Sequence, residues 1–205
     1  MSSVKLNVTR LSSITEQKKV GNKKKTKNWE EYCIVSYREL NSIVDLWQDS
    51  NFDPRPLTRS YYIKVFDCSQ VNFTGLASEN AIKNKIKGEK VVYDHCLSPQ
   101  FVTRMILDNP DIYLKDYESF KKIFWESCKT IMVTQKENLM LSYLTENDGY
   151  TYRIHVPTHL KYQHMGIKLY FRPTVKGKWK DSVPLDTNII EVPENLVEYE
   201  KYFLV

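Results

Sequence analysis

Short apolar runs alternate along this chain with polar stretches that carry proline or glycine, and their periods set out a mixed helix and strand order. Leu40, Ile43, Val44 and Trp47 recur at helical spacing behind Ser36-Tyr37-Arg38-Glu39, which has the form of a capping box, and Asp53-Pro54-Arg55-Pro56 forbids that helix to continue. Residues 32 to 35 and 60 to 66 are rich in Tyr, Ile and Val, which predicts a short strand on either side of it. Residues 78 to 87 predict a helix with Ser78 as its cap, Ala81, Ile82 and Ile86 as its apolar seam and Gly88 as its stop. A strand over residues 90 to 96 follows, then helices over 101 to 107 and 117 to 127, separated by Asn109-Pro110. Phe120, Ile123, Phe124 and Cys128 give the second of these its buried side. Residues 130 to 134 predict a strand and 135 to 144 a helix, with Asn138 and Ser142 on one face and Leu139, Leu141 and Leu144 spread over the opposite arc. Beyond the turn Asn147-Asp148-Gly149 come strands over 150 to 156 and 167 to 171, a short helix or loop over 158 to 164, a loop through Pro184 and a closing helix over 192 to 203.

This order predicts an α+β chain in four segments. Residues 1 to 28 are a basic flexible arm, 29 to 89 an N-terminal α+β segment, 90 to 146 a central segment and 147 to 205 a C-terminal α+β segment. No apolar run approaches the roughly 20 residues needed to cross a bilayer, and no secretory h-region opens the chain, so a cytoplasmic protein without membrane contact is expected. Cys33, Cys68, Cys96 and Cys128 form no CxxC pair, which points to free, mostly buried thiols rather than a zinc ribbon or disulfide framework. With only six glycines and no P-loop or dinucleotide pattern, a nucleotide-cradling loop is not expected.

Thirty Lys and Arg against 25 Asp and Glu leave a net charge of +5, and the placement of that excess says more than its size. Lys23, Lys24 and Lys25 crowd the arm; Lys83, Lys85 and Lys87 crowd the helix that leads toward Asp94. Each lysine that neutralises a phosphate releases condensed counterions and adds affinity without reading sequence, so double-stranded DNA is the expected partner, with Arg104 as a further backbone contact.

The concentrated chemistry lies in Val91-Val92-Tyr93-Asp94-His95-Cys96-Leu97-Ser98-Pro99. A strand ending in Asp-His, followed by a second strand and a helix carrying Asn138, would cradle one divalent cation. Asp94 supplies a hard anionic oxygen and Asn138 a neutral carbonyl oxygen, which suits Mg²⁺ or Mn²⁺. His95 has the ordinary pKa to take a proton from water near neutral pH. Asp94 and His95 would point to opposite faces of an ideal strand, so the reading requires the chain to bend there.

At these residues the chain resembles the HNH, or ββα-metal, endonuclease superfamily of phage and homing type. Residues 93 to 99 look like its opening Asp/Glu-His … Pro segment. Ile131-Met132-Val133-Thr134-Gln135-Lys136-Glu137-Asn138-Leu139 looks like its closing strand-Thr-x-x-Glu-Asn/His-x-x-Leu segment. The resemblance implies a ββα-metal motif with inserted helices, embedded in a small mixed α/β domain, and a metal-dependent DNA endonuclease with Asp94 and Asn138 as metal ligands and His95 as general base. The alternative is a non-catalytic DNA-binding or interaction protein that keeps the scaffold without the metal. His155, His159 and His164 lack a zincin spacing, and Cys96 lacks an identifiable orienting partner.

Overall fold

A computed structural model describes residues 26–47, 55–142, 145–147, 152–154, 158–172 and 178–190, together with Val192, Glu194 and Leu196. The helices are α1 (Thr26–Asn41), α2 (Arg55–Asp67), α3 (Glu79–Lys87), α4 (Pro99–Asp108), α5 (Pro110–Tyr113), α6 (Tyr117–Ser127), α7 (Gln135–Ser142) and α8 (Lys161–His164). The strands are β1 (Asn72–Ser78), β2 (Val92–His95), β3 (Lys129–Val133), β4 (Thr145–Asn147), β5 (Tyr152–Ile154), β6 (Leu169–Phe171) and β7 (Val183–Pro184). The α+β expectation stands at this level.

Two expected strands are helical. Residues 32 to 35 lie inside α1 and residues 60 to 66 inside α2. Cys33, Ser36, Leu40 and Ile43 are buried at spacings of three and four, as are Tyr61, Val65 and Cys68, while the β-prone Ile34, Val35 and Ile63 are exposed. Burying a continuous helical stripe outweighs the local preference of branched and aromatic side chains, whose β propensity is mostly a packing effect. Ser36 is therefore an interior helix residue rather than a cap, and its buried hydroxyl has no partner among the described residues. Glu39 instead reaches across to α2, accepting from Lys64 Nζ at 2.8 Å and Ser60 Oγ at 3.1 Å. Pro56 sits in the first turn of α2, where a missing N–H costs nothing.

α4 and α6 follow the expected bounds closely, while the short helix α5 follows the break expected at Asn109-Pro110. Pro99 and Pro110 occupy first-turn positions of α4 and α5, and Asp116 caps α6 by accepting from Ser119 N at 2.7 Å. These helices and α1 and α2 enclose one apolar core that includes Leu40, Tyr61, Phe101, Met105, Phe120 and Phe124. Inside it the Tyr61 hydroxyl lies 2.8 Å from Ser127 Oγ, so the one polar atom of a fully buried ring is satisfied.

The second layer is a five-stranded sheet in the order β2-β3-β1-β6-β7. β1 and β3 are parallel; the other neighbours are antiparallel. Tyr93, Met132, Ala77 and Tyr170 stand in register across β2, β3, β1 and β6 and share one face, against which Ala81 and Ile82 of α3 pack. Ile131, Val133 and Leu169 face the other way, toward Leu141 of α7 and Tyr162 of α8. This sheet takes strands from all three ordered segments read from the sequence, so the divisions at 89/90 and 146/147 do not separate cores.

The Ser78 cap and Gly88 stop are both found around α3. Ser78 Oγ accepts from Ala81 N at 3.0 Å, and Gly88 adopts φ 78°, a left-handed value that favours glycine; Ile86, by contrast, is exposed rather than part of the seam. β4 and β5 form a separate antiparallel pair. The basic arm apart from the start of α1, and most of the closing helix expected over 192 to 203, fall outside the described residues. Among the described residues no helix is long and apolar enough to cross a membrane.

Candidate functional site

β2 is a regular strand through His95, with Asp94 opposite Ile131 and His95 opposite Thr130, and the ladder continues one residue further through Cys96 N to Lys129 O at 2.9 Å. Successive side chains therefore leave on opposite faces. Asp94 points toward α8, where its Oδ2 lies 2.7 Å from Lys161 Nζ and also accepts from the Tyr162 hydroxyl. The same ammonium donates to the His95 carbonyl at 2.5 Å. His95 points the other way, toward α2, with Nε2 3.4 Å from the Val65 carbonyl and its ring against Phe66.

The bend that would bring Asp94 and His95 to one cation is absent. The Asp94 carboxylate already has a cation, Lys161, buried beside it, and the Asp94 and Lys161 side chains are only 16% and 10% exposed. Asn138 is half-buried on α7, and among the described residues no group of three or more His, Cys, Asp or Glu side chains is placed to hold a metal. The donor set expected for Mg²⁺ or Mn²⁺ does not fit this geometry, because a divalent ion at Asp94 would have to displace an ammonium already neutralising it.

His95 has a distinct consequence for stability. Burial lowers its pKa below 6.5, with Lys161 acting in the same direction and Asp94 and the Val65 carbonyl opposing. The unfolded chain then binds a proton at this site over a pH range in which the folded chain does not, so stability is full above the unfolded value and falls as pH drops through it. Urea unfolding at about pH 5.5 should show up to about 1 kcal/mol less stability from this group than at pH 7.5. His95→Phe should flatten that dependence; an unchanged slope would place its origin elsewhere.

A second polar centre lies where parallel β1 and β3 both end and lead into helices. Glu137, 7% exposed, accepts four hydrogen bonds: Ser78 Oγ at 2.6 Å, Asn80 Nδ2 at 3.0 Å, Thr134 N at 2.8 Å and Thr134 Oγ1 at 2.9 Å. Thr134 Oγ1 in turn accepts from Glu137 N at 3.1 Å, which completes a capping box at the start of α7. One carboxylate thus meets the positive ends of two helices, α3 and α7. A cavity of about 320 Å³ opens beside it, lined by Asn80, Thr134, Lys136, Glu137, Gly166 and Lys168, among others. Glu137 was visible in the sequence only as part of the closing segment; the Thr134-x-x-Glu137 spacing is the signal that identifies it as a cap.

The remaining chemistry sorts by layer. Lys83, Lys85 and Lys87 are all exposed on α3, and Lys83 is paired with Glu79 at 2.7 Å. The 3-10 turn Trp179–Asp181 packs on the same helix and brings Lys178 and Lys180, both exposed, to that side. Arg104 belongs to the helical layer instead, 3.5 Å from Asp108. Lys23, Lys24, Lys25 and His155 lie outside the described residues. No family model, curated protein or solved structure matches the chain. All four cysteines are free and buried, and burial pushes the Cys96 thiol up to about 12, which leaves it protonated and poorly nucleophilic at neutral pH.

Proposed function

We propose that the protein binds nucleic acid through the basic face formed by α3 and the turn beside it. The observation that carries this reading is the excess of exposed cations there: Lys83, Lys85, Lys87, Lys90, Lys178 and Lys180 against Glu79, Glu89 and Asp181. A patch of one sign supplies backbone affinity without base contacts and makes that affinity steeply dependent on salt. Lys83 contributes least, since Glu79 already offsets it. The reading corresponds to the alternative in which an HNH-like order of elements persists without its metal.

A metal-dependent DNA endonuclease is the second reading, favoured by the succession of antiparallel β2 and β3 followed by α7. It requires Lys161 to leave Asp94, and the first reading does not. One set of measurements separates them. DNA binding at low salt should weaken about ten-fold or more in the double charge reversal Lys85→Glu/Lys87→Glu, with a shallower salt slope. Supercoiled plasmid should stay intact with Mg²⁺ or Mn²⁺. Chelator-sensitive nicking that is lost in His95→Ala would establish the second reading instead, and binding unaffected by the charge reversal would remove the first.

A further inference from the structure

The side of the sheet that carries α3 is lined with aromatic rings. Tyr93 and Tyr170 stand in one register row, separated by Met132 and Ala77, and Phe73 meets Tyr93 edge-on with ring centroids 5.4 Å apart. Trp179 packs against Phe73 at 6.1 Å, and the Arg172 guanidinium lies over the Trp179 ring at 4.4 Å. All five side chains are half-buried, so they are held by the fold and still reach its surface. Arg172 Nε is buried with no acceptor among the described residues, so nothing there offsets its desolvation.

Rings set in a sheet cannot meet base faces inside a duplex, because those faces are stacked on one another and the grooves expose only base edges. They suit a strand whose bases are unstacked. We propose that the basic face recognises single-stranded nucleic acid, with Phe73, Tyr93, Tyr170 and the Arg172–Trp179 pair stacking on bases while Lys85, Lys87 and Lys90 hold phosphates. The inference rests on the nucleic-acid reading above and adds to it which form is bound and by what contacts. The planar guanidinium over Trp179 extends the stacking surface.

The test compares a labelled DNA oligonucleotide of about 20 bases, its RNA counterpart and the DNA duplex of the same sequence, by fluorescence anisotropy at several salt concentrations. Single strands of either sugar should bind at least about ten-fold tighter than the duplex. Tyr93→Leu, which keeps apolar bulk but loses the ring, should weaken single-strand binding by about ten-fold and leave duplex binding unchanged; Tyr93→Phe should retain it. Urea midpoints of both variants check that the fold persists. Equal affinity for duplex and single strand, or equal losses on both in Tyr93→Leu, overturns the inference while leaving phosphate binding by the lysines in place. Binding to no form at low salt overturns both.

Discussion

Replacing Lys161 by Met should lower the stability of the protein by about 3–5 kcal/mol, the range expected when one member of a buried ion pair is removed. Among the described residues the variant leaves the Asp94 carboxylate on the sheet face with the Tyr162 hydroxyl as its one side-chain partner, and it removes the donor to the His95 carbonyl. In a chain of this size such a loss corresponds to a fall in Tm of about 10 °C or more. The double variant Lys161→Met/Asp94→Asn should recover much of it, because the pair repays its own desolvation only in part. A double-mutant cycle on urea midpoints measures the coupling directly. If the single variant cost under about 1 kcal/mol, Asp94 would be free of Lys161 in solution and the metal reading would regain its ligand.

The second large effect is expected at Glu137. Glu137→Ala strands the Ser78 and Thr134 hydroxyls, the Thr134 amide and the Asn80 side-chain amide at once. Hydrogen bonds to a charged acceptor are each worth about 1.5–3 kcal/mol, and part of the loss is recovered by water from the adjoining cavity, so a net cost of about 3–4 kcal/mol is expected. Glu137→Gln should fall between, at about 2 kcal/mol. Its carbonyl keeps one side of the network, and a flip of the Asn80 amide lets that residue accept from the new NH₂ group. The Thr134 amide stays with the carbonyl, which takes the place of Oε2, so the remaining cost is the lost charge. Both variants are read by urea unfolding, and the same ranking should appear in faster hydrogen exchange over the first turns of α3 and α7. Equal costs for Gln and Ala would mean that charge, rather than acceptor number, holds the two helix starts together.

One sequence signature has opposite outcomes at two places in the described chain. Ser36-x-x-Glu39 and Thr134-x-x-Glu137 both have capping-box spacing. Only the second caps a helix. The difference lies upstream. Residues preceding Thr134 pair in the sheet as β3, so a helix has to begin there, whereas those preceding Ser36 carry Cys33 on the stripe that α1 buries, so the helix runs through. A local motif specifies a boundary only when its flanks cannot join the element.

From the chain alone, the helices rich in ordinary helix formers were legible, as were the Ser78 and Gly88 termini of α3 and the strand at Asp94-His95. Each depends on local backbone preferences or on a period visible within one element. Tertiary packing decided the rest. Whether residues 60 to 66 form a strand or a helix depended on which period finds an apolar partner, and the helical layer supplied one. What Asp94 and His95 do depended on α8, a short helix remote in sequence whose Lys161 faces Asp94, and on α2, whose backbone faces His95. A strand fixes only that neighbouring side chains diverge; which groups then meet them is set by the elements laid on each side of the sheet, and no pattern within residues 90 to 96 encodes those partners.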